Sequence, residues 1–398
     1  MSGVADPAAL ASLLEHARAS GRLALDTEFM GEGRYRTLLC LIQLAVPEQP
    51  GIDPIALVDP LEEPAIDGRL AAVLADPGVQ IVVHAGRQDI ALLRRHLRTE
   101  IVNLFDTQVA AGFAGLGAQA SYDSLLADVL GLRVAKTASF TRWDARPLSA
   151  EQLAYAREDV VHLLEIAAEL QRRLAGIGRL EWALEECEPL TRVSDERDPQ
   201  AILERLPRLS GLSGPARLIA RELVEWREQT AERNNRPVQS VLGDAGLVEV
   251  ARRQPKSREE LAKIRGVGAS SGGRRAQELL DAVARARERE PEEPTQSTRL
   301  PSPRSEDLPL VALAEALART RAREAGLAYE LLAARADLQA IVTSVRIGAE
   351  PPEVRTLRGW RRELVGGELL ELLDGRLSLS VGEQDGSRRV DVERRAPG

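Results

Sequence analysis

The segment Leu23-Ala24-Leu25-Asp26-Thr27-Glu28-Phe29 constrains this chain more than any other. Its short apolar opening reads as a buried strand that ends in acids. Side chains two apart on a strand share a face, so Asp26 and Glu28 point the same way. Two like charges side by side repel, and each is costly to bury unpaired. A divalent cation removes both costs, because Mg²⁺ and Mn²⁺ prefer carboxylate oxygen ligands.

Two further segments carry matching chemistry. Asp89, in His84-Ala-Gly-Arg-Gln-Asp89, lies where a strand gives way to a helix, the usual place for functional groups in open α/β sheets. Tyr155 and Asp159 are four apart on an expected helix and also share a face. Four carboxylates and a phenol suit phosphodiester hydrolysis, with two ions held roughly 3.5–4 Å apart for in-line displacement. The tyrosine can orient the attacking water.

The organisation around these residues is α/β followed by all-α. Residues 8–19 form an amphipathic helix. Strands are expected at 22–29, 38–46, 55–58 and 79–84, with helices at about 66–75 and 88–97. Strands alternating with helices indicate a sheet covered on its faces. Residues 105–175 read as mostly helical, and Ser149 with Gln152 makes a capping box for the helix of Tyr155 and Asp159. Residues 188–200 read as a polar linker. The expected domains are 1–190, 205–290 and 308–378, with a disordered linker at 291–307 and a loose tail at 379–398. Residues 323–332 faintly echo 233–242, a weak internal repeat.

Composition narrows the setting. No apolar run in the 398 residues approaches the ~18–20 needed for a membrane span. No signal peptide is visible, and Cys40 and Cys187 cannot build a disulfide framework. A cytoplasmic protein with no membrane partner is expected. The net charge is −8, but unevenly spread. Residues 1–190 hold 17 basic and 27 acidic side chains, and residues 205–290 hold 18 and 12. An acidic half joined to a basic one suggests separate roles for chemistry and for holding a polyanion.

The motifs together resemble a known family. Asp26-Thr27-Glu28-Phe29 with Leu41-Ile42-Gln43-Leu44, His84-Ala85-Gly86 with Asp89, and Tyr155-x-x-x-Asp159 are similar to the three exonuclease motifs of the DEDD superfamily, in its tyrosine subgroup. Lys136-Thr-Ala-Ser139 and Trp143-Asp-Ala-Arg146-Pro147-Leu148 resemble ribonuclease D in particular. Two departures are Arg142, where the family usually has an acid, and Arg36-Thr37, where it usually has Pro after Tyr35. The resemblance implies an RNase H-like fold and 3′→5′ hydrolysis releasing nucleoside 5′-monophosphates. Carried over by position, Asp26, Glu28, Asp89 and Asp159 would hold two Mg²⁺ or Mn²⁺ ions, and Tyr155 would place the water. Phe29 could stack on the terminal base or fill the core. Arg34 and Arg36 could grip phosphates or be solvated loop residues. Lys136 and Arg146 are candidate phosphate ligands, Arg146 alternatively a brace for the following helix. His84 reads as a packed residue.

Residues 212–285 resemble the helicase and ribonuclease D C-terminal (HRDC) domain, through Leu223-Val-Glu-Trp226, Arg233-Asn-Asn-Arg-Pro237 and Leu261-Ala-Lys263-Ile-Arg265-Gly266-Val-Gly268. Gly266 and Gly268 could let backbone N–H groups approach a phosphate, or simply form a turn. Trp226 reads as a core anchor. Residues 308–375 resemble a degenerate second copy, fit either to touch RNA or to pack on the enzyme. The expected partner is RNA with a single-stranded 3′ end, including tRNA precursors. A DNA-directed exonuclease and a non-catalytic binding protein on a nuclease fold are the alternatives.

Overall fold

The structure is a computed structural model that describes residues 4–62, 68–133, 142–267, 273–289, 304–384 and 386–395. Lys136 and Gly268 lie outside the described residues, as does most of the expected linker.

The apolar runs near the N-terminus form one five-stranded sheet. Its strands are β1 (Arg22–Met30), β2 (Leu38–Ala45), β3 (Ile55–Val58), β4 (Gln80–Val83) and β5 (Leu104–Asp106), in the order β3-β2-β1-β4-β5. β1, β2 and β3 are antiparallel, while β4 and β5 run parallel to β1. The short β5 falls inside the stretch expected to be helical. Alternation divides β1 cleanly. Leu23 and Leu25 join one buried layer with Ile42, Leu44 and Ile90. Ala24 joins the other with Leu41, Leu57, Phe105 and Ala156.

Helices cover both faces. Helices α1 (Pro7–Ser20), α2 (Gly68–Leu74) and α3 (Arg87–Leu97) supply the first layer. Helices α4 (Thr107–Phe113), α5 (Tyr122–Leu125), α6 (Ala150–Val161), α7 (Leu163–Gly176) and α8 (Leu180–Cys187) supply the second. Asp6 caps α1, and the Ser149–Gln152 capping box opens α6 as the sequence indicates.

Helices α9 (Pro199–Arg205), α10 (Gly214–Arg233), α11 (Val238–Val241), α12 (Asp244–Arg253), α13 (Arg258–Ala262) and α14 (Gly273–Glu288) enclose a separate core around Leu223, Val250, Leu279 and Val283. Trp226 is buried in it, as expected. Arg227 is buried too and bonds to Asp244 Oδ1 at 2.5 Å and to the Leu242 carbonyl at 3.2 Å, tying α10 to α12.

The chain then repeats this pattern. Helices α15 (Leu308–Glu324), α16 (Tyr329–Leu332), α17 (Arg335–Ile347), α18 (Gly359–Arg361) and α19 (Gly367–Leu373) follow, with single-turn α16 standing where α11 stands. This second bundle has no core of its own. Val311, Leu317, Leu338, Ile341, Trp360 and Leu369 belong to the same buried cluster as the sheet's second face. Trp360 stacks on Trp182 at 5.2 Å and meets the edge of Phe113 at 5.0 Å. Arg361 forms a forked ion pair with Glu186.

The tail expected to be loose is instead a hairpin. Strands β6 (Leu377–Gln384) and β7 (Ser387–Arg394) pair antiparallel and pack Leu379 and Val392 against the shared core. The 188–200 stretch likewise is not free chain. It contains a 3₁₀ turn at Glu188–Arg192, and α9 begins at Pro199.

Candidate active site

Strand β1 outruns its parallel neighbour. Pairing with β4 covers Arg22 to Ala24, so Asp26 and Glu28 extend beyond the end of β4. There the chain turns through His84-Ala85-Gly86 into α3, whose first turn carries Asp89. The turn is tight. Ala85 has φ of 53°, and a Cβ on Gly86 would lie 2.5 Å from Val83 Cγ2. Asp106 fixes it by accepting from the Ala85 and Gly86 N–H groups, both at 3.0 Å, while capping α4. From the opposite side α6 lies across β1, β2 and β3 and brings Tyr155 and Asp159.

These five side chains lie near enough to influence one another. The Thr27 hydroxyl donates to Asp89 in a short hydrogen bond, and the Tyr155 hydroxyl bonds to Asp159. Asp89 is buried, 7 % exposed, while Asp26, Glu28, Tyr155 and Asp159 keep some contact with solvent. Burial lifts all four carboxyls above their ordinary range. Glu28 is pushed to about 8, with Asp159 and Asp89 adding to the rise, and Asp159 to about 7. Asp26 is held well up by burial and then by Asp89, Asp159 and Glu28. The Tyr155 phenol is also raised, by burial and then by Asp159, Glu28 and Asp26. No cationic side chain is among the chief influences on any of the four carboxyls.

Such a set fits hard divalent cations, being rich in carboxylate oxygen with no thiol or imidazole among the donors. Among the described residues, no three acidic, histidine or cysteine side chains are yet drawn tightly enough to hold an ion. His84 is not in the cluster. Its Nδ1 lies 2.9 Å from Thr107 Oγ1, whose own hydrogen goes to the Val83 carbonyl, and its ring packs on Tyr122.

The candidate substrate residues part company. Phe29 is partly buried, one residue past the cluster, where a bulge interrupts the β1–β2 pairing. Arg34 approaches Asp144 at 3.5 Å. Arg36 does not face the carboxylates but bonds Glu232 of α10 at 2.9 Å. Beside it Tyr35 donates to Glu228 at 3.1 Å, and Arg197 lies over the Tyr35 ring. The loop after the first acidic segment is thus a latch to the first helical bundle. Arg146 is fully engaged: it grips buried Asp59 with two nitrogens at 2.5 and 2.6 Å and bonds the carbonyls of Cys40 and Trp143. It ties the segment that leads into α6 to β2 and Asp59 and has no fork left for a phosphate.

In the helical bundle Lys263 and Arg265 are exposed at the end of α13. Gly266 has φ of +90° and lies against Gly246, where a Cβ would come 2.7 Å from the Gly266 carbonyl oxygen. Packing of two backbones accounts for that glycine without a phosphate.

Comparison with known proteins agrees with this geometry. The 3′-5′ exonuclease family matches residues 1–175, and the HRDC domain family matches residues 217–283. Ribonuclease D of Gluconacetobacter diazotrophicus is 38 % identical over 95 % of this chain and 93 % of its own length. Ribonuclease D of Acidiphilium cryptum is 34 % identical over 96 % and 95 %. The chain belongs to the ribonuclease D family of 3′→5′ exoribonucleases. The crystal structure of Escherichia coli RNase D, an exoribonuclease involved in structured RNA processing, superposes with a TM-score of 0.77 at 27 % identity, covering 94 % of this chain and 98 % of that one.

Three residues around this site were not apparent from sequence. Asp106 pins the turn before Asp89, and Asp59 anchors Arg146. Tyr122 sits beside the cluster, its phenol raised by burial and by Asp159 and Asp26. Asp106 follows an apolar Leu104-Phe105 pair in the way Asp26 follows Leu25, a signal too short to read alone.

Proposed function

We propose that this protein hydrolyses RNA one nucleotide at a time from a single-stranded 3′ end, releasing nucleoside 5′-monophosphates. Its substrates would include tRNA precursors. The carrying observation is that burial lifts all four carboxyls and that Asp26 and Glu28 are raised further by the other acids of the cluster, with no cationic side chain of the described residues among the chief influences on any of them. Asp26, Glu28, Asp89 and Asp159 would hold two divalent ions, Mg²⁺ or Mn²⁺. When bound, such ions supply charge neutralisation at the phosphate and activation of water for in-line displacement. Asp26, raised by Asp89, Asp159 and Glu28 alike, would be one of these ligands. Tyr155, held by Asp159, would orient the attacking water through its hydroxyl. Thr27 would keep Asp89 turned inward.

The division of labour follows the charge. Residues 1–190 would carry the chemistry. Residues 205–290 would hold the RNA body, with exposed Lys263 and Arg265 offering phosphate contacts. Residues 308–378 would serve the enzyme by covering its second sheet face, since their apolar side is spent there. Among the described residues no helix is long and apolar enough to cross a membrane. Two buried free thiols suit a reducing cytoplasm.

The test is a 5′-labelled hairpin RNA with a 3′ tail, incubated with the protein in Mg²⁺ or Mn²⁺, beside a matched DNA and an Asp26→Ala variant. A ladder shortening from the 3′ end, absent with EDTA or the variant, is expected. Bound but intact RNA under every metal condition would refute the proposal, and equal cleavage of DNA would remove the sugar preference.

A further inference from the structure

Strand β2 reads Leu38-Leu-Cys-Leu-Ile-Gln43-Leu-Ala45, apolar but for one residue. Gln43 is 0 % exposed. Among the described residues, neither its Oε1 nor its Nε2 has a hydrogen-bond partner. Buried polar groups are as a rule bonded, so an amide unused at both ends needs a reason. A leucine or methionine would match the rest of the strand and leave nothing unbonded.

The register supplies the reason. Gln43 stands directly opposite Asp26 on β1 and opposite Leu57 on β3. Opposed residues of an antiparallel pair point to the same face with Cβ atoms about 4.5–5.5 Å apart. On that face Leu57, Leu41 and Ala45 offer no polar side-chain atom, and α6 closes over them. The polar neighbour across the strand is therefore Asp26. Its carboxylate accepts the Thr27 backbone N–H, and a carboxylate has about four acceptor positions to fill.

We propose that Gln43 is a positioning residue, whose Nε2, unbonded in this structure, turns to donate to the Asp26 carboxylate across the strand pair and sets its rotation for the divalent cation that the cluster would hold. Gln43 touches neither ion nor RNA. The inference rests on the metal reading of the four carboxylates given above. Groups that hydrogen-bond a metal-ligating side chain typically account for about 10–100-fold in metal affinity.

The experiment uses the full-length protein without RNA. Mn²⁺ binding is followed by the electron paramagnetic resonance of the free ion, for wild type, Gln43→Met and Gln43→Leu. Melting temperature in EDTA is measured alongside. The expected result is an unchanged or higher melting temperature in EDTA with Mn²⁺ affinity lower by about 10-fold or more in both variants. Equal Mn²⁺ affinity in variants and wild type would overturn the proposal. A lower melting temperature for both variants in EDTA would also overturn it, by making the amide part of the metal-free fold. Absence of Mn²⁺ binding by the wild type would instead sink the metal reading itself, and with it this role.

Discussion

Replacing Glu28 with glutamine should stabilise the metal-free protein, and the effect should grow with pH. The folded state lifts this carboxyl from its ordinary 4.5 to about 8. Between those values the folded chain keeps a proton that the unfolded chain has lost. The stability linked to Glu28 is thus fully present below about pH 4.5 and lost as pH rises through 8. At ~1.4 kcal/mol per pH unit the whole rise is worth up to about 5 kcal/mol. Water at the open side of the site screens part of it, so about 3 kcal/mol is the working figure. For a domain of this size that is roughly 6–12 °C in melting temperature. Wild type in EDTA should melt progressively lower from pH 5 to 8.5, whereas Glu28→Gln should lose much less. Some slope remains in the variant, because Asp159, raised to about 7, titrates in the same window. Saturating Mn²⁺ should restore the wild type at pH 8 and help the variant less. Scanning calorimetry across pH, with and without metal, reads all of this. Parallel curves for the two proteins in EDTA would refute the reasoning, because Glu28 would then lie outside the repelling cluster.

Three other perturbations test the surroundings of the site. Arg146→Ala leaves Asp59, 2 % exposed, without its partner, and should cost about 3–5 kcal/mol in chemical denaturation; activity should fall with it, because the start of α6 loses its brace. Trp360→Ala opens a hole between the second helical bundle and the sheet's second face and should cost about 3–5 kcal/mol. That loss should appear as one cooperative transition for both parts in calorimetry, since they share a core. The double change Lys263→Ala and Arg265→Ala should weaken RNA binding and lower the slope of log affinity against log salt by about 0.7 for each single-strand phosphate no longer neutralised. Cleavage of a mononucleotide-tailed short RNA should stay near wild type, because neither residue is near the carboxylates.

What could be read from the sequence, and what could not, divides by the distance over which residues cooperate. Asp26 and Glu28 declare a shared face through a two-residue spacing, and Ser149 with Gln152 declares a helix start through a three-residue one. Both signals are complete within a few positions. The tail was misread as loose: Leu377, Leu379 and Val381 alternate with polar residues, as do Val390 and Val392 across Gly386, but many charges obscured the alternation. β5 escaped because three residues show no period. The arginines failed for a different reason. Arg36 is spent on Glu232, 196 positions away, and Arg146 on Asp59, 87 positions away. A guanidinium has the same donors whether it awaits a phosphate or has found a carboxylate, so composition cannot separate the two. The carboxylates escape this ambiguity because four acids buried on converging elements have few satisfactory states in a folded chain. Mutual repulsion is informative where attraction is not, and that is why the gathering of the carboxyls was more legible than the partners of the arginines.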